Sequence, residues 1–124
     1  MYIISMNSIY LFPIILFLID SVYLSLTGKY YNSIVKSIQG SDIKMRYISA
    51  FFCYVVLAFG LYYFILRKKE SIYSAFVLGI IIYGVFETTT YAIFKKWDLF
   101  AVFLDTIWGG ILFALTTYIV YKLV

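Results

Sequence analysis

Three acidic residues, Asp20, Glu87 and Asp105, lie inside stretches of this chain that are otherwise apolar. An acidic side chain near the centre of a bilayer costs about 2.5 to 3.5 kcal/mol on insertion scales, so each acid is expected to have a partner or a functional role. Carboxyl groups at this depth can exchange protons, bind a hard cation, or bridge helices through hydrogen bonds. These three residues are the candidate proton or cation site.

Residues three and four positions from each acid share its helix face and should lie beside it. Most of them can donate hydrogen bonds, and no lysine or arginine lies at that depth in an apolar stretch. The acids must then be protonated, share protons or coordinate a cation. The supporting polar, aromatic or small residues are Tyr23, Tyr83, Thr89, Thr90, Tyr91, Trp108 and Gly109.

Histidine is absent from the chain, which removes imidazole ligation of haem, zinc sites of the histidine type, and histidine-activated nucleophiles. We therefore expect neither haem nor zinc. Calcium, magnesium or sodium would suit ligands that are all oxygen atoms. The single cysteine, Cys53, excludes an internal disulfide, and its aromatic neighbours predict a small buried residue.

The composition indicates an integral, multi-pass membrane protein, because 65% of the residues are hydrophobic and only 13% are charged. The net charge of +4 comes from basic residues at the ends of apolar runs, which predicts contact with lipid headgroups rather than nucleic acid. At about 20 residues per crossing, 124 residues predict a single all-α domain. We expect a four-transmembrane-helix bundle over residues 1–124, with spans at approximately 8–27, 47–66, 72–94 and 99–121.

The segment from Lys29 to Arg46 is the one sizeable polar stretch between predicted spans. Tyr30, Ile34 and Ile38 recur every four residues, which predicts a short interfacial helix, although a solvated loop fits nearly as well. Pro13 lies within the first span and predicts either a kink or the first turn of a shorter helix.

The two later connections are short, so consecutive spans should be antiparallel neighbours. Asp20 near the end of the first span, Glu87 late in the third and Asp105 early in the fourth then reach one depth. This layer is displaced toward the side opposite the amino terminus. Six of the ten basic residues fall on that side, which favours it as cytoplasmic.

Small residues spaced four apart occur in the third and fourth spans and allow two helix backbones to approach closely in lipid. They are Ala75 with Gly79, and Gly110 with Ala114. We therefore expect contact between these two spans.

Two segments of the chain resemble each other. Residues 17–23 and 102–108 both contain an apolar triplet, an aspartate, a hydroxyl residue, a β-branched residue and an aromatic residue. Inverted repeats are common in transporters, and the first and fourth spans should run in opposite directions. Seven residues do not by themselves establish a repeat.

The chain also resembles a family of small membrane proteins named only as domain of unknown function 2177. The likeness covers nearly the whole chain. This chain departs from the family pattern at three positions: the family has tryptophan at the position of Tyr23, aspartate at that of Glu87 and asparagine at that of Thr90. The resemblance implies four spans and singles out the same three acids, but it implies no activity. It rests on Asp20 with Tyr23, on Phe86-Glu87-Thr88-Thr89-Thr90, on Trp97, and on Asp105 with Trp108 and Gly109.

Three functions follow from the pattern. The favoured one is a small transporter or channel subunit whose carboxylates handle protons or a hard cation, working as a homo-oligomer because four spans offer little room for a complete path. The second is a membrane-embedded enzyme acting on a lipid or isoprenoid. The third is a structural or assembly protein whose acids only hold helices together. The pattern leans against an enzyme.

Overall fold

The computed structural model describes residues 9–123 and contains four long helices. Each of the four is long and apolar enough to cross a membrane. We number them α1 (Phe12–Gln39), α2 (Tyr47–Leu61, continued by a π-helical turn at Tyr62–Leu66), α3 (Ile72–Ile93) and α4 (Leu99–Leu123). The all-α bundle is thus confirmed, although the predicted start of the first span at residue 8 lies outside the described residues.

Helix α1 is longer than its predicted span, because it continues without a break from Phe12 to Gln39. Pro13 lies in its first turn, where the missing N–H costs no hydrogen bond. The helix ends where Gly40 adopts a left-handed conformation with φ of 80° and donates to the carbonyl of Lys36. About 20 residues cross the hydrocarbon, so the polar segment begins as the last turns of α1.

The short linker after α1 folds back onto the helix. The Asn32 side chain donates to Asp42 Oδ1 at 3.0 Å and accepts from the backbone N–H of Ile43 at 2.8 Å.

At the other end of the bundle, Ser71 caps α3 by accepting from the backbone N–H of Ser74. Tyr121 near the end of α4 donates to the carbonyl of Glu70 at 2.6 Å.

Helices α3 and α4 form the most extensive contact in the bundle. A Cβ placed on Gly79 would lie 2.1 Å from the carbonyl oxygen of Gly109, and one on Gly110 would lie 2.8 Å from the Phe76 ring. Only glycine permits this approach of backbone to backbone. The predicted contact between the third and fourth spans is confirmed, with Gly109 taking part beside Gly110.

The apolar core occupies one half of the bundle. It joins the start of α1, the end of α2, the start of α3 and the end of α4, which the antiparallel topology brings to the same side. The half on the other side of the membrane contains the acids. The core residues are Phe12, Leu16, Leu57, Leu61, Ile65, Leu66, Ala75, Leu112, Phe113 and Val120.

Helix α2 lies at the edge of the bundle and exposes much of its surface. Cys53 is exposed beside the exposed rings of Phe51 and Phe52. The prediction that Cys53 is buried was wrong, because apolar neighbours in a membrane helix face lipid as readily as they face a protein core.

Candidate functional site

Asp20 and Asp105 are linked by a reciprocal exchange of hydrogen bonds between α1 and α4. Trp108 of α4 donates from Nε1 to Asp20 Oδ1 at 2.9 Å, and Tyr23 of α1 donates from its hydroxyl to Asp105 Oδ1 at 3.2 Å. Each helix therefore supplies one aspartate and, three residues later, the aromatic donor for the aspartate of the other helix. The two segments that resemble each other in sequence meet in the structure.

The two aromatic donors lie face to face at the centre of this arrangement. The rings of Tyr23 and Trp108 stack with centroids 4.5 Å apart and planes only 4° from parallel. Residues three apart share a helix face, so an aspartate and its following aromatic both project toward the other helix. The stack fixes the distance between α1 and α4 at the depth of the acids.

Asp20 is buried and receives a second donor from α2. The hydroxyl of Tyr54 hydrogen-bonds to Asp20 Oδ2, while Trp108 occupies Oδ1. Both carboxylate oxygens of Asp20 thus have donors, and three helices meet at this one side chain. This is the principal polar contact that holds α2 at the level of the acids.

Glu87 of α3 is only 1% exposed and accepts from Trp97 Nε1 at 2.8 Å. Trp97 lies in the short connection between α3 and α4, so the end of the hairpin folds back over the acid. The carboxyl groups of Glu87 and Asp105 are neighbours, and Asp20 also lies near Asp105. The three acids therefore belong to one polar network.

A chain of hydroxyl groups leads from Asp105 toward the polar end of α1. The Tyr23 hydroxyl, which donates to Asp105, lies 2.5 Å from the hydroxyl of Tyr31 two turns further along α1. Next to Tyr31, Tyr30 donates to Asp98 Oδ2 at 2.5 Å in the α3–α4 connection. Hydroxyl groups can both donate and accept, so hydrogen bonds run without a break from Asp105 through Tyr23 to Tyr31.

Some of the supporting residues predicted from sequence contact the acids and others do not. Tyr23 and Trp108 donate hydrogen bonds to Asp105 and Asp20. The Tyr83 ring packs on Gly109, since a Cβ added to Gly109 would lie 2.3 Å from Tyr83 Cγ. Thr90 is buried but donates to the carbonyl of Phe86 at 2.7 Å. Thr89 and Tyr91 are both exposed, in contrast to the buried Glu87.

Three members of the network were not among the predicted site residues. Trp97 is the tryptophan of the family pattern, so a sequence signal for it existed. Tyr31 lies eight residues after Tyr23, a helical spacing that places both on one face. Tyr54 had no local signal, because its helix is rich in aromatic residues and its rotation is set by packing.

Basic side chains stay near the membrane surface in the part of the chain that the structure describes. Lys96 donates to the carbonyl of Ser37 at 3.2 Å, and the single ion pair there joins exposed Lys36 to Asp42 at 3.9 Å. None of the three acids has a lysine or arginine within ion-pair distance among these residues. Residues 9–123 also contain no group of three or more acidic or thiol side chains arranged to hold a metal ion.

Comparison with known proteins identifies the family. Residues 5–122 match the model of a family described as a predicted membrane protein, DUF2177. The chain belongs to this family. No curated protein and no solved structure matches the chain. The function of the DUF2177 family is not known, but the family description and the four apolar helices together make this an integral, multi-pass membrane protein.

Proposed function

We propose that this protein exchanges protons at an intramembrane carboxyl site formed by Asp20, Glu87 and Asp105, as a small proton-coupled transporter or channel subunit. The observation that carries the proposal is the neighbouring pair of Glu87 and Asp105, which is joined to a hydroxyl chain through Tyr23 and Tyr31. Two carboxylates in a desolvated site do not ionise together easily, so one proton shared by the pair is favoured.

The donors around the acids favour a proton over a hard cation. Carboxylate oxygens of Asp20, Glu87 and Asp105 accept hydrogen bonds from indole N–H or phenol O–H groups. A cation would need several of these oxygens to turn away from their donors and converge at about 2.0 to 2.6 Å. A proton needs no such rearrangement.

The first experiment measures protonation without requiring a substrate. In infrared difference spectra of the protein in liposomes, we expect a carboxylic C=O band that changes reversibly with pH and weakens in Asp105→Asn. The matched control is Asp42→Asn, which removes an exposed carboxyl group on the membrane surface. A carboxyl band that does not respond to pH in the wild-type protein would contradict the proposal.

The second experiment tests movement of the proton. With a pH-sensitive dye trapped inside the liposomes and an imposed membrane potential, a channel subunit should show proton influx that Asp105→Asn abolishes. Tyr23→Phe should slow the influx, because it keeps the ring stack and removes the hydroxyl between Asp105 and Tyr31. Proton binding without influx would exclude the channel subunit. We expect a homo-oligomer in either case.

A structural role is the second candidate, and a specific observation favours it. Asp20 connects α1 to α2 and α4, Asp105 connects α4 to α1, and Glu87 connects α3 to the following loop. Protonated acids could provide these bridges without any turnover. If the Asn or Gln variants of all three acids kept the wild-type infrared response and flux, this candidate would replace the first.

A further inference from the structure

Two clefts of similar size flank α2. The α1–α2 cleft has a volume of about 580 Å³, and the α2–α3 cleft has a volume of about 560 Å³. Both are formed largely by side chains of α2, most of which are apolar. Val55 lines the first cleft and its neighbour Val56 lines the second.

The two clefts differ in charge. Among the described residues, those that line the α1–α2 cleft are all uncharged, whereas Asp105 is the single charged residue lining the α2–α3 cleft. Phe52, Val56 and Phe86 form walls of the α2–α3 cleft and are each more than half exposed. This cleft therefore opens sideways, toward the hydrocarbon, and has an acid in its lining.

We infer that the α2–α3 cleft binds a lipophilic monovalent cation that enters from the bilayer, with its positive charge at Asp105 and its apolar body against Phe52, Val56 and Phe86. The argument is charge complementarity. Asp105 lines the cleft, and no basic side chain of the described part of the chain pairs with it. A cleft of this chemistry attracts a cation with a large apolar surface.

The inference rests on the proposed function, because the cation and the proton would compete for the same carboxyl pair. Binding should strengthen as the pH rises, since loss of a proton makes the pair more negative. The other titratable groups around Asp105 come from three helices and are neutral or acidic, so none of them supplies a competing positive charge. They are Asp20, Tyr23 and Tyr31 of α1, Cys53 of α2, and Tyr83 and Glu87 of α3.

The test measures equilibrium binding of tetraphenylphosphonium to the full chain in nanodiscs of uncharged phosphatidylcholine. We expect saturable binding to the wild-type protein that Asp105→Asn weakens by about tenfold or more, because the buried counter-charge is lost. Asp42→Asn should bind like the wild type. Equal binding by the wild type and Asp105→Asn would overturn the inference.

A matched pair of variants tests the location of the site. Val56→Trp fills the α2–α3 cleft and should abolish most of the binding, while Val55→Trp fills the α1–α2 cleft and should leave it unchanged. These substitutions act on exposed positions and leave the core residues intact. Equal loss in both variants, or loss only in Val55→Trp, would overturn the inference.

The infrared measurement separates failure of this inference from failure of the proposed function. A carboxyl band that titrates in the wild type, together with cation binding that ignores Asp105→Asn and Val56→Trp, would reject the cleft and keep the proton site. A band that does not titrate, with cation binding that depends on Asp105 at every pH, would reject proton exchange and keep the cleft as a cation site.

Discussion

Helices α3 and α4 pack closely against each other, whereas α2 packs loosely against the rest of the bundle. Between α3 and α4, backbones touch at Gly79 and Gly109 with no space for a methyl group. Helix α2 stands between two clefts and is attached mainly by its buried end and by Tyr54. Glu87 and Asp105 thus belong to a close-packed hairpin, while the helix that borders their cleft is loosely attached.

The difference in packing affects the carboxyl pair and the α2–α3 cleft in different ways. Close backbone packing in lipid gives rigidity, because many van der Waals contacts would be lost together if the helices separated. A rigid α3–α4 hairpin keeps two carboxyl groups at a fixed separation. We expect α2 to move without disturbing that pair, and such movement would change the width of the α2–α3 cleft.

The largest effect should come from Gly79→Ala. The added Cβ would lie 2.1 Å from the carbonyl oxygen of Gly109, which forces the two helices apart, and we expect a loss of about 2 to 3 kcal/mol in the free energy of unfolding. Gly60→Ala on α2 is the control, since its Cβ would meet no atom within 4 Å. Unfolding in mixed micelles would measure both. Equal losses would contradict the contrast between the two regions.

Trp97→Phe should have the next largest effect. It removes the indole N–H that Glu87 accepts at 2.8 Å and leaves a buried carboxyl oxygen without this donor, at a cost of about 1 to 3 kcal/mol. The control is Phe94→Leu, which changes an exposed ring in the same connection. If Trp97→Phe unfolds like the wild type, Glu87 does not depend on the hairpin end for its hydrogen bond.

Tyr54→Phe should have a smaller effect. It keeps the ring and removes the hydroxyl that reaches Asp20, while Trp108 continues to donate to the other carboxylate oxygen. We expect a loss of about 0.5 to 1.5 kcal/mol in the same unfolding assay. Tyr47→Phe on the exposed side of α2 should cause no loss. A loss as large as that in Gly79→Ala would mean that α2 is held as firmly as α4.

The last prediction concerns motion and not stability. Spin-label pairs at exposed positions in a Cys53→Ser background should give a broader distance distribution for Val56 with Phe86 than for Ile81 with Ile111. The first pair spans the α2–α3 cleft and the second spans the glycine contact. Pulsed electron paramagnetic resonance measures these widths. Distributions of equal width would show that α2 is no more mobile than α4.

The sequence predicted most of the helices but not their rotation. Hydropathy gave spans two, three and four within a few residues, since burial in lipid depends on local composition. It placed the end of the first span near residue 27, whereas α1 continues to Gln39, because Gly28 and Lys29 are compatible with helix in the absence of a strong stop signal. The exposure of Cys53 was not predictable, since both lipid and protein core accept an apolar face.

At the candidate site, too, the sequence predicted some features and the packing of the helices decided others. The sequence by itself determined that Asp20, Glu87 and Asp105 lie in the membrane without histidine or an intramembrane base, because charge and hydropathy are local properties. Only the tertiary structure decided that Trp108 donates a hydrogen bond to Asp20 and Tyr23 donates one to Asp105. It also decided that Asp105 lines a cleft beside α2. Those pairings depend on how each helix is rotated about its axis, and that rotation is set by the packing of all four helices together.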